Sequence, residues 1–280
     1  MFDRSTLFGP FAEIERLGLP ETVLSPPFEG VLGTFYSQLV SGAHDDTSWY
    51  VDRAGRSAGG DVLDLCCGGG RSVVALARSG WRVTGVDRSP TQLSLARARC
   101  RDAGDDVADR VRLVAGDVSS VDLGRSFDAV VIGGLSMTLF AADQRAGVLE
   151  VVRRHLAGGG RLLFDYAPVT PGERDAEFVL AVPMRARGGS GFVLVGGRRE
   201  PGRRRQWTNL YGELVGADGR TRRWLTGFEF RLDEQADLAA ELAEQGFAVR
   251  DIDDRPGSDV HGEPDSPFGA RSYVLAEVPA

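Results

Sequence analysis

The sequence of 280 residues contains no lysine, so all 33 of its basic residues are arginines. A protein without lysine cannot form a Schiff base through a lysine amine. It also cannot build the nucleotide-triphosphate loop that ends in Gly-Lys-Ser or Gly-Lys-Thr. Two kinds of reactive or binding site are therefore excluded before any motif is considered.

Cysteine and histidine are scarce, with three residues of each. Cys66 and Cys67 are adjacent and only Cys100 lies elsewhere, so the spacing of zinc or iron–sulfur ligands is missing. We predict no metal site. Long apolar runs are also missing, because none approaches the roughly 18 residues of a membrane span. We expect a cytoplasmic protein without a structural disulfide.

Excess positive charge is absent as well, since the formal net charge is −7. Binding to long nucleic acid or to an anionic membrane would need a strong local basic patch. The arginine-rich segment 198–205 is the one candidate, and we expect it to form solvated turn tips. The predicted partners therefore include neither nucleic acid nor membrane.

Residues 59–168 alternate apolar strands with helical patterns. Strand-like runs lie at 61–65, 82–87, 111–117, 127–134 and 161–166. Between the second and third runs, Ser89-Pro90-Thr91-Gln92 reads as a capping box with proline at the first helical position. The alternation predicts a parallel sheet with helices on both faces, which binds ligands beyond the carboxyl ends of its strands.

Three further segments complete the predicted organisation. Residues 1–58 form an N-terminal helical cap, and residues 169–232 form an antiparallel β insertion with three strand-like runs on the substrate side. Residues 233–280 supply a helix and two strands, the last of them antiparallel. The predicted fold class is therefore α/β, with a Rossmann-like seven-stranded sheet, an N-terminal helical cap and an antiparallel β insertion.

The glycine-rich stretch "DLCCGGGR" follows the first predicted strand. A dinucleotide fold would need a third glycine where Val73 lies. The stretch instead resembles the D-x-G-x-G-x-G turn of class I S-adenosylmethionine-dependent methyltransferases, as Asp64 through Gly70, with Cys66 in place of the first glycine. That resemblance implies S-adenosylmethionine as cofactor, and it makes the two cysteines small turn residues rather than reactive ones.

The resemblance covers about residues 60–166 and, more loosely, 233–280, and it implies roles for residues at four strand ends. Asp87, 17 residues after Gly70, matches the carboxylate that accepts hydrogen bonds from both ribose hydroxyls. Asp117 matches the position that receives the adenine amino group, and the Val118 N–H matches the donor to an adenine ring nitrogen. The implied cofactor-binding residues are Asp64, Cys66, Gly68, Gly70, Asp87, Arg88, Asp117, Val118, Gly133 and Leu135.

The sequence contains fewer motifs that indicate the acceptor of the methyl group than motifs that indicate the cofactor. The loop after the fourth core strand lacks the Asn/Asp-Pro-Pro-Tyr/Phe stretch of nucleobase and nucleic-acid methyltransferases. The sequence also shows no convincing acidic triad for magnesium. These two absences favour metal-independent transfer to a small molecule or peptide, and the element order resembles that of small-amine N-methyltransferases. An amine needs only to arrive deprotonated, so we expect an amine of a natural product as acceptor in a monomer or homodimer.

Several side chains could line the acceptor site or act there. The candidate catalytic residues are Tyr36, Tyr166 and His261. Tyr50 is expected to line the pocket beside them, and Asn209, Tyr211 and Glu213 of the insertion are candidates for orienting an amine. Two alternatives remain open at this point, namely an O-methyltransferase of a hydroxylated natural product and a non-catalytic S-adenosylmethionine-binding partner or regulator.

Overall fold

The computed structural model describes residues 3–42, 45–55, 59–186, 189–255 and 270–278. Within these ranges, no helix is both long and apolar enough to cross a membrane. His261, one of the candidate catalytic residues, lies outside the described residues.

The N-terminal segment contains three helices and a short strand. These elements are α1 (Gly9–Leu17), β1 (Thr22–Leu24), α2 (Gly30–Leu39) and α3 (Asp45–Ala54). Sequence reasoning predicted helices here but not β1, which pairs in parallel with a strand of the insertion. Three residues are too few to show a strand pattern, so only the neighbouring strand edge decides their conformation.

The central region forms the alternating strands and helices that the sequence predicts. Its elements are β2 (Asp61–Leu65), α4 (Arg71–Arg78), β3 (Arg82–Asp87), α5 (Pro90–Asp102), α6 (Asp105–Ala108), β4 (Val111–Ala115), β5 (Phe127–Ile132), α7 (Ala142–His155) and β6 (Leu156–Tyr166). The capping box forms only in part. The Ser89 hydroxyl accepts from the Gln92 N–H, but the Gln92 amide donates to the Phe28 and Gly33 carbonyls of the cap instead of returning to Ser89.

The C-terminal elements complete a seven-stranded sheet, as predicted. After the insertion come α8 (Gln235–Glu244), β11 (Ala248–Arg255) and β12 (Arg271–Glu277). The strand order is β11-β12-β6-β5-β2-β3-β4, and β12 is antiparallel to both of its neighbours. The expected fold class is confirmed.

This strand order fixes where a ligand can bind. From β2 the chain proceeds outward through β3 and β4, and then returns to the opposite side of β2 as β5. The loops after β2 and β5 therefore diverge to opposite faces of the sheet, which leaves a crevice at the carboxyl ends of these two strands. In open α/β sheets, ligands bind at this kind of crevice.

The insertion forms a second sheet with more strands than predicted. Its strands are β7 (Ala176–Ala186), β8 (Gly189–Glu200), β9 (Arg205–Gly216) and β10 (Thr221–Arg231). With β1 they give the order β1-β10-β9-β8-β7. Sequence reasoning missed β7, which contains Pro183. A proline cannot donate to a strand ladder, but β7 is an edge strand, where proline is tolerated.

The two faces of this second sheet contact different parts of the N-terminal segment. On one face, Val193, Val195 and Leu210 pack with Leu32 of α2. On the other, Tyr211 and Leu225 pack with Phe8 and Phe11 around α1. Helix α2 is thus enclosed between the second sheet and α5 of the central region, and it forms a wall above the crevice.

Candidate functional site

A cavity of about 620 Å³ occupies the crevice at the carboxyl ends of β2 and β5. Its floor is formed by loops of the central sheet and its roof by α2, α3 and the second sheet. Seven of the predicted cofactor-binding residues line it, namely Cys66, Gly68, Asp87, Arg88, Asp117, Val118 and Gly133. The other three, Asp64, Gly70 and Leu135, lie directly behind this lining. The structure thus brings strand ends distant in sequence into one site.

The turn from β2 to α4 brings backbone close to the cavity. Cys66, Gly68 and Gly70 have φ values of +59°, +51° and +77°, which lie in the left-handed region. A Cβ atom on Gly70 would lie 2.9 Å from the Cβ of Ala96 in α5, and one on Gly69 would lie 2.4 Å from the Ser37 hydroxyl. A side chain at Gly69 or Gly70 would therefore clash with the cap or with α5, so glycine lets the turn pack closely against both.

Asp87, the last residue of β3, presents a fixed carboxylate to the cavity. One of its oxygens accepts from the Gly68 N–H and the other from the Ser89 N–H, each at 2.8 Å. Burial raises the pKa of this carboxyl group, and the two backbone hydrogen bonds oppose that effect. Each oxygen keeps a lone pair that can accept from a ligand hydroxyl group.

Asp117 and Val118 follow β4 at the next strand end. The Asp117 Oδ1 atom accepts from the Ser119 N–H at 2.9 Å and from its hydroxyl at 2.7 Å, which lowers the pKa of Asp117. The Val118 N–H has no hydrogen-bond partner within the part of the chain that the structure describes, although Val118 is 6% exposed. A buried donor of this kind is available to a ligand acceptor.

The loop after β5 forms the far end of the cavity floor. Gly133 lies under the ring of Tyr50 from α3, and a Cβ atom on Gly133 would be 2.8 Å from that ring. Leu135 has a φ of +61° and donates its N–H to the Asp165 carboxylate at 3.0 Å. Glycine at position 133 therefore permits Tyr50 to lie against the backbone where β5 ends.

The two described candidates for catalysis lie in different places. Tyr36 of α2 lines the cavity, with its ring 5.5 Å from that of Phe28. Tyr166 is fully buried among the core residues beneath α7 and α8 and does not line the cavity. Side chains alternate along a strand, so its neighbour Asp165 points toward the cap instead. The structure therefore places Tyr166 outside the site that sequence reasoning assigned to it.

Asp165 belongs to a buried group of charges that sequence reasoning missed. Its Oδ1 atom accepts from the Tyr50 hydroxyl at 2.7 Å, and its Oδ2 atom accepts from Arg271 at 3.0 Å. Arg271 is also 3.5 Å from Asp46, which is ion-paired with both terminal guanidinium nitrogens of Arg71. No short motif marks these residues, because they come from α3, α4, β6 and β12.

The polar residues singled out in the insertion do not reach the cavity. Asn209 is fully buried, accepts from the Phe8 N–H and donates to the Thr6 carbonyl. The Tyr211 hydroxyl donates to Glu213, which is ion-paired with Arg223. All three lie on the face of the second sheet that packs against α1, so they anchor the N-terminus rather than line the site.

The arginine-rich segment 198–205 is paired with carboxylates. Arg199 is fully buried and bonds to Glu173 and to the Pro168 carbonyl. The remaining pairs are Arg198 and Arg203 with Glu200, Arg204 with Glu234 and Asp237, and Arg205 with Glu229. Intramolecular pairing of this kind lowers the net positive charge that the segment offers to a partner.

Comparison with protein families matches residues 62–160 to the model of a methyltransferase domain. The match spans the turn after β2, Asp87, Asp117 and the loop after β5. The chain carries a class I methyltransferase domain. S-adenosylmethionine is the cofactor of this domain. The family, fold and cofactor expected from the sequence are thereby confirmed.

Curated relatives of this methyltransferase domain carry the names of quinone methyltransferases. The chain is 35% identical over 133 residues to the ubiquinone biosynthesis O-methyltransferase of Xanthomonas axonopodis pv. citri, which covers 48% of this chain and 52% of that relative. It is 38% identical over 109 residues to the demethylmenaquinone methyltransferase of Tropheryma whipplei, covering 39% of this chain and 42% of that relative. The chain spans about half the length of these relatives.

Solved structures resemble more of the chain than the curated relatives do. The glycopeptide N-methyltransferase MtfA, complexed with S-adenosylmethionine, is 27% identical with a TM-score of 0.54, over 83% of this chain and 92% of that one. The sugar N-methyltransferase KedS8 from a Streptoalloteichus species shares the fold, with 20% identity and a TM-score of 0.66 over 90% of this chain and 95% of that one.

The residues of this methyltransferase domain fit the cofactor. The lone pairs left on Asp87 suit the vicinal hydroxyl groups of a ribose, and the buried Val118 N–H suits a ring nitrogen of adenine. The left-handed turn at Cys66, Gly68 and Gly70 brings backbone to the cavity wall, where Cys66 and Gly68 line it. Among the described residues, no three His, Cys, Asp or Glu side chains are grouped so that they could hold a metal ion.

Asp64, behind the glycine turn, makes the stability of the domain pH-dependent. It is 1% exposed, only its Oδ2 atom has a partner, the Ser72 hydroxyl at 2.6 Å, and burial raises its pKa to about 7. Because its unfolded pKa is about 4, the folded state keeps a proton that the unfolded state loses as the pH rises between these values. The free energy of unfolding therefore falls over this window.

We expect Asp64→Asn to remove this loss of stability. Between pH 5 and pH 8, the free energy of unfolding of the native protein should fall by about 2–3 kcal/mol relative to that of the variant. Urea unfolding at the two pH values measures this difference. Parallel pH profiles of the two proteins would show that Asp64 is ionised throughout.

Cys66 and Cys67 are expected to tolerate small replacements. Burial raises the pKa of both thiols, so neither is a thiolate at neutral pH. Glycine at position 66 suits the φ of +59° better than cysteine does. We expect the double variant Cys66→Gly, Cys67→Ala to bind S-adenosylhomocysteine within about threefold of the native affinity, on the order of 0.7 kcal/mol. Loss of binding in a folded variant, measured by calorimetry, would assign a chemical role to the thiols.

Proposed function

We propose that the protein transfers a methyl group from S-adenosylmethionine to an amine of a small-molecule or peptide natural product, without a metal ion. When bound, S-adenosylmethionine supplies the electrophilic methyl group. The amine nitrogen forms the new N–C bond as the C–S bond breaks, with its electron pair passing to sulfur. The proton of the methylated nitrogen then leaves to solvent.

The cofactor has assigned partners in this proposal. Asp87 accepts from the ribose hydroxyl groups, with Arg88 beside it at the cavity edge. Asp117 and Val118 bind the adenine, while the turn from Asp64 through Gly70 and the loop Gly133–Leu135 enclose the methionine part. The contacts of these residues support the assignment, because each strand end supplies a group of suitable donor or acceptor character.

Two features of the cavity wall support an amine as the substrate. Aromatic rings from the cap and the second sheet form its wall, with Tyr36 5.4 Å from Phe228 and Phe230 among the lining residues. Rings of this kind suit a cationic methyl donor and an ammonium product. Two acids bonded to Tyr50 or lining the cavity with it, Asp165 and Asp46, are each paired with arginine.

The oxygens of both carboxylates already accept from protein donors, and this favours an amine. A hydroxyl acceptor usually needs a base or a metal, whereas an amine needs only to arrive deprotonated. The similarity to the glycopeptide N-methyltransferase MtfA also supports the amine. The second candidate is methylation of a hydroxyl group, which is favoured by the name of the ubiquinone biosynthesis relatives.

Calorimetry followed by mass spectrometry tests the proposed function. The purified protein would first be titrated with S-adenosylmethionine and S-adenosylhomocysteine, where we expect micromolar binding. It would then be incubated with S-adenosylmethionine and matched amine and hydroxyl acceptors. Mass gains on amines support the proposal, gains only on hydroxyl groups favour O-methylation, and binding without turnover favours a non-catalytic partner or regulator.

A further inference from the structure

Tyr50 lies in the cavity wall beside Gly133, whose loop is assigned above to the methionine part of the cofactor. It lines the cavity from α3, and its hydroxyl oxygen is 3.2 Å from the place that a Cβ atom of Gly133 would occupy. Its ring is held by edge contacts with Trp49 at 5.7 Å and Tyr273 at 6.1 Å. With 1% exposure, Tyr50 has one fixed position above the end of β5.

The Tyr50 hydroxyl already donates its hydrogen bond to Asp165. Three donors converge on the two oxygens of Asp165, namely the Tyr50 hydroxyl at 2.7 Å, the Leu135 N–H at 3.0 Å and the Arg271 guanidinium at 3.0 Å. A carboxyl group that accepts three hydrogen bonds in this way, one of them from a guanidinium, is an acceptor-only carboxylate. Tyr50 is therefore the donor of this pair.

A tyrosine hydroxyl that has donated its proton can only accept further hydrogen bonds. The lone pairs of the Tyr50 oxygen then require an N–H or O–H group of whatever occupies the cavity beside Gly133. Tyr36, the other tyrosine in the lining, has no hydrogen bond to any described side chain and can therefore act as either donor or acceptor. Of the two, only Tyr50 discriminates between ligands.

We propose that Tyr50, held by Asp165, accepts a hydrogen bond from the N–H of the acceptor amine and so selects primary and secondary amines. This inference rests on the proposed function. A neutral primary or secondary amine can donate an N–H to Tyr50 while its lone pair points elsewhere. A neutral tertiary amine has no N–H to donate, so the accepting lone pairs of the Tyr50 oxygen gain no donor from it in a buried site, which is unfavourable. Methylation therefore stops at the tertiary amine.

Tyr50→Phe tests the role of the hydroxyl, and Tyr273→Phe is its matched control. Tyr273 is 2% exposed, belongs to the same aromatic group and does not line the cavity. For each variant, the melting temperature, the affinity for S-adenosylhomocysteine, and kcat and KM with an amine that the native protein methylates would be measured. Primary, secondary and tertiary amines of one carbon skeleton would serve as acceptors.

We expect Tyr50→Phe to lower kcat/KM for the amine by about 10- to 100-fold, the effect of one lost hydrogen bond in a buried site. S-adenosylhomocysteine should bind within threefold of the native affinity, and Tyr273→Phe should change neither quantity by more than about twofold. The native protein should methylate primary and secondary amines and leave tertiary amines unchanged.

Other results overturn the inference. An unchanged kcat/KM in folded Tyr50→Phe refutes it, and so does a quaternary ammonium product from the native protein. A loss of S-adenosylhomocysteine affinity of tenfold or more assigns Tyr50 to the cofactor instead. If Tyr50→Phe does not fold, the inference is tested by whether the native protein methylates tertiary amines. If the native protein methylates no amine although it binds cofactor, the proposed function itself fails.

Discussion

Replacement of Asp87 by alanine is expected to weaken binding of S-adenosylmethionine by on the order of 100- to 1000-fold, or about 3–4 kcal/mol. The variant loses both carboxylate oxygens, which we assign to the two ribose hydroxyl groups. It also frees the Gly68 N–H, because Asp87 fixes the glycine turn through that donor at 2.8 Å. Calorimetric titration with S-adenosylhomocysteine measures the effect without turnover.

Two further variants separate the role of the Asp87 carboxylate from a general loss of charge. Asp106→Ala removes an exposed acid from the short helix α6 and should leave the affinity unchanged. Asp87→Asn keeps the shape and one acceptor oxygen, so we expect an intermediate loss. An Asp87→Ala protein that remains folded and binds the cofactor with native affinity would refute the ribose assignment.

Replacement of Asp46 by alanine is expected to lower the free energy of unfolding by about 3 kcal/mol. Asp46 is 2% exposed and lies between Arg71 and Arg271, which lose their shared carboxylate in the variant. Breaking a buried ion pair costs about 3–5 kcal/mol, and the lower value applies because the two arginine side chains are 19% and 24% exposed. Urea unfolding at neutral pH gives the difference.

The same helix offers a control for Asp46. Asp52 is an exposed acid of α3, and Asp52→Ala should change the free energy of unfolding by less than about 0.5 kcal/mol. Equal stability of Asp46→Ala and Asp52→Ala would mean that the buried group of charges adds nothing to the attachment of the cap. The result for Asp46 does not affect the prediction for Asp87, because Asp46 and Asp87 belong to different elements and share none of the partners described above.

The grouping of the predicted cofactor-binding residues around one cavity was largely predictable because its signals are local. Strand, turn and helix follow one another within a few residues, as in the stretch from Asp61 to Arg78, and an acid ends β3 where the next helix begins. In a parallel sheet, the carboxyl ends of neighbouring strands meet at one edge. Ordering the strands therefore sufficed to bring Asp87, Asp117 and Gly133 to one cavity.

The acceptor side was poorly predictable because it depends on side-chain direction and on long-range packing. Tyr166 was expected in the pocket, but a shift of one residue along a strand reverses the direction of a side chain, and it is Asp165 that bonds to Tyr50 of the cavity wall. The polar residues of β9 were placed toward the substrate, but their face packs against α1. Nothing local distinguishes the two faces of an amphipathic strand until its neighbours are known.

The sequence by itself determined the α/β fold class, the methyltransferase family and the cofactor, because each depends on patterns within short segments. Only the tertiary structure decided that Asp46, Tyr50, Asp165 and Arg271 meet beside the cavity, near the end of β5. These four residues come from three elements, with more than 200 residues between the first and the last. These residues become each other's partners only after the cap, β6 and β12 have packed together. Burial removes water from their polar and charged groups, so each group then needs a partner within the protein.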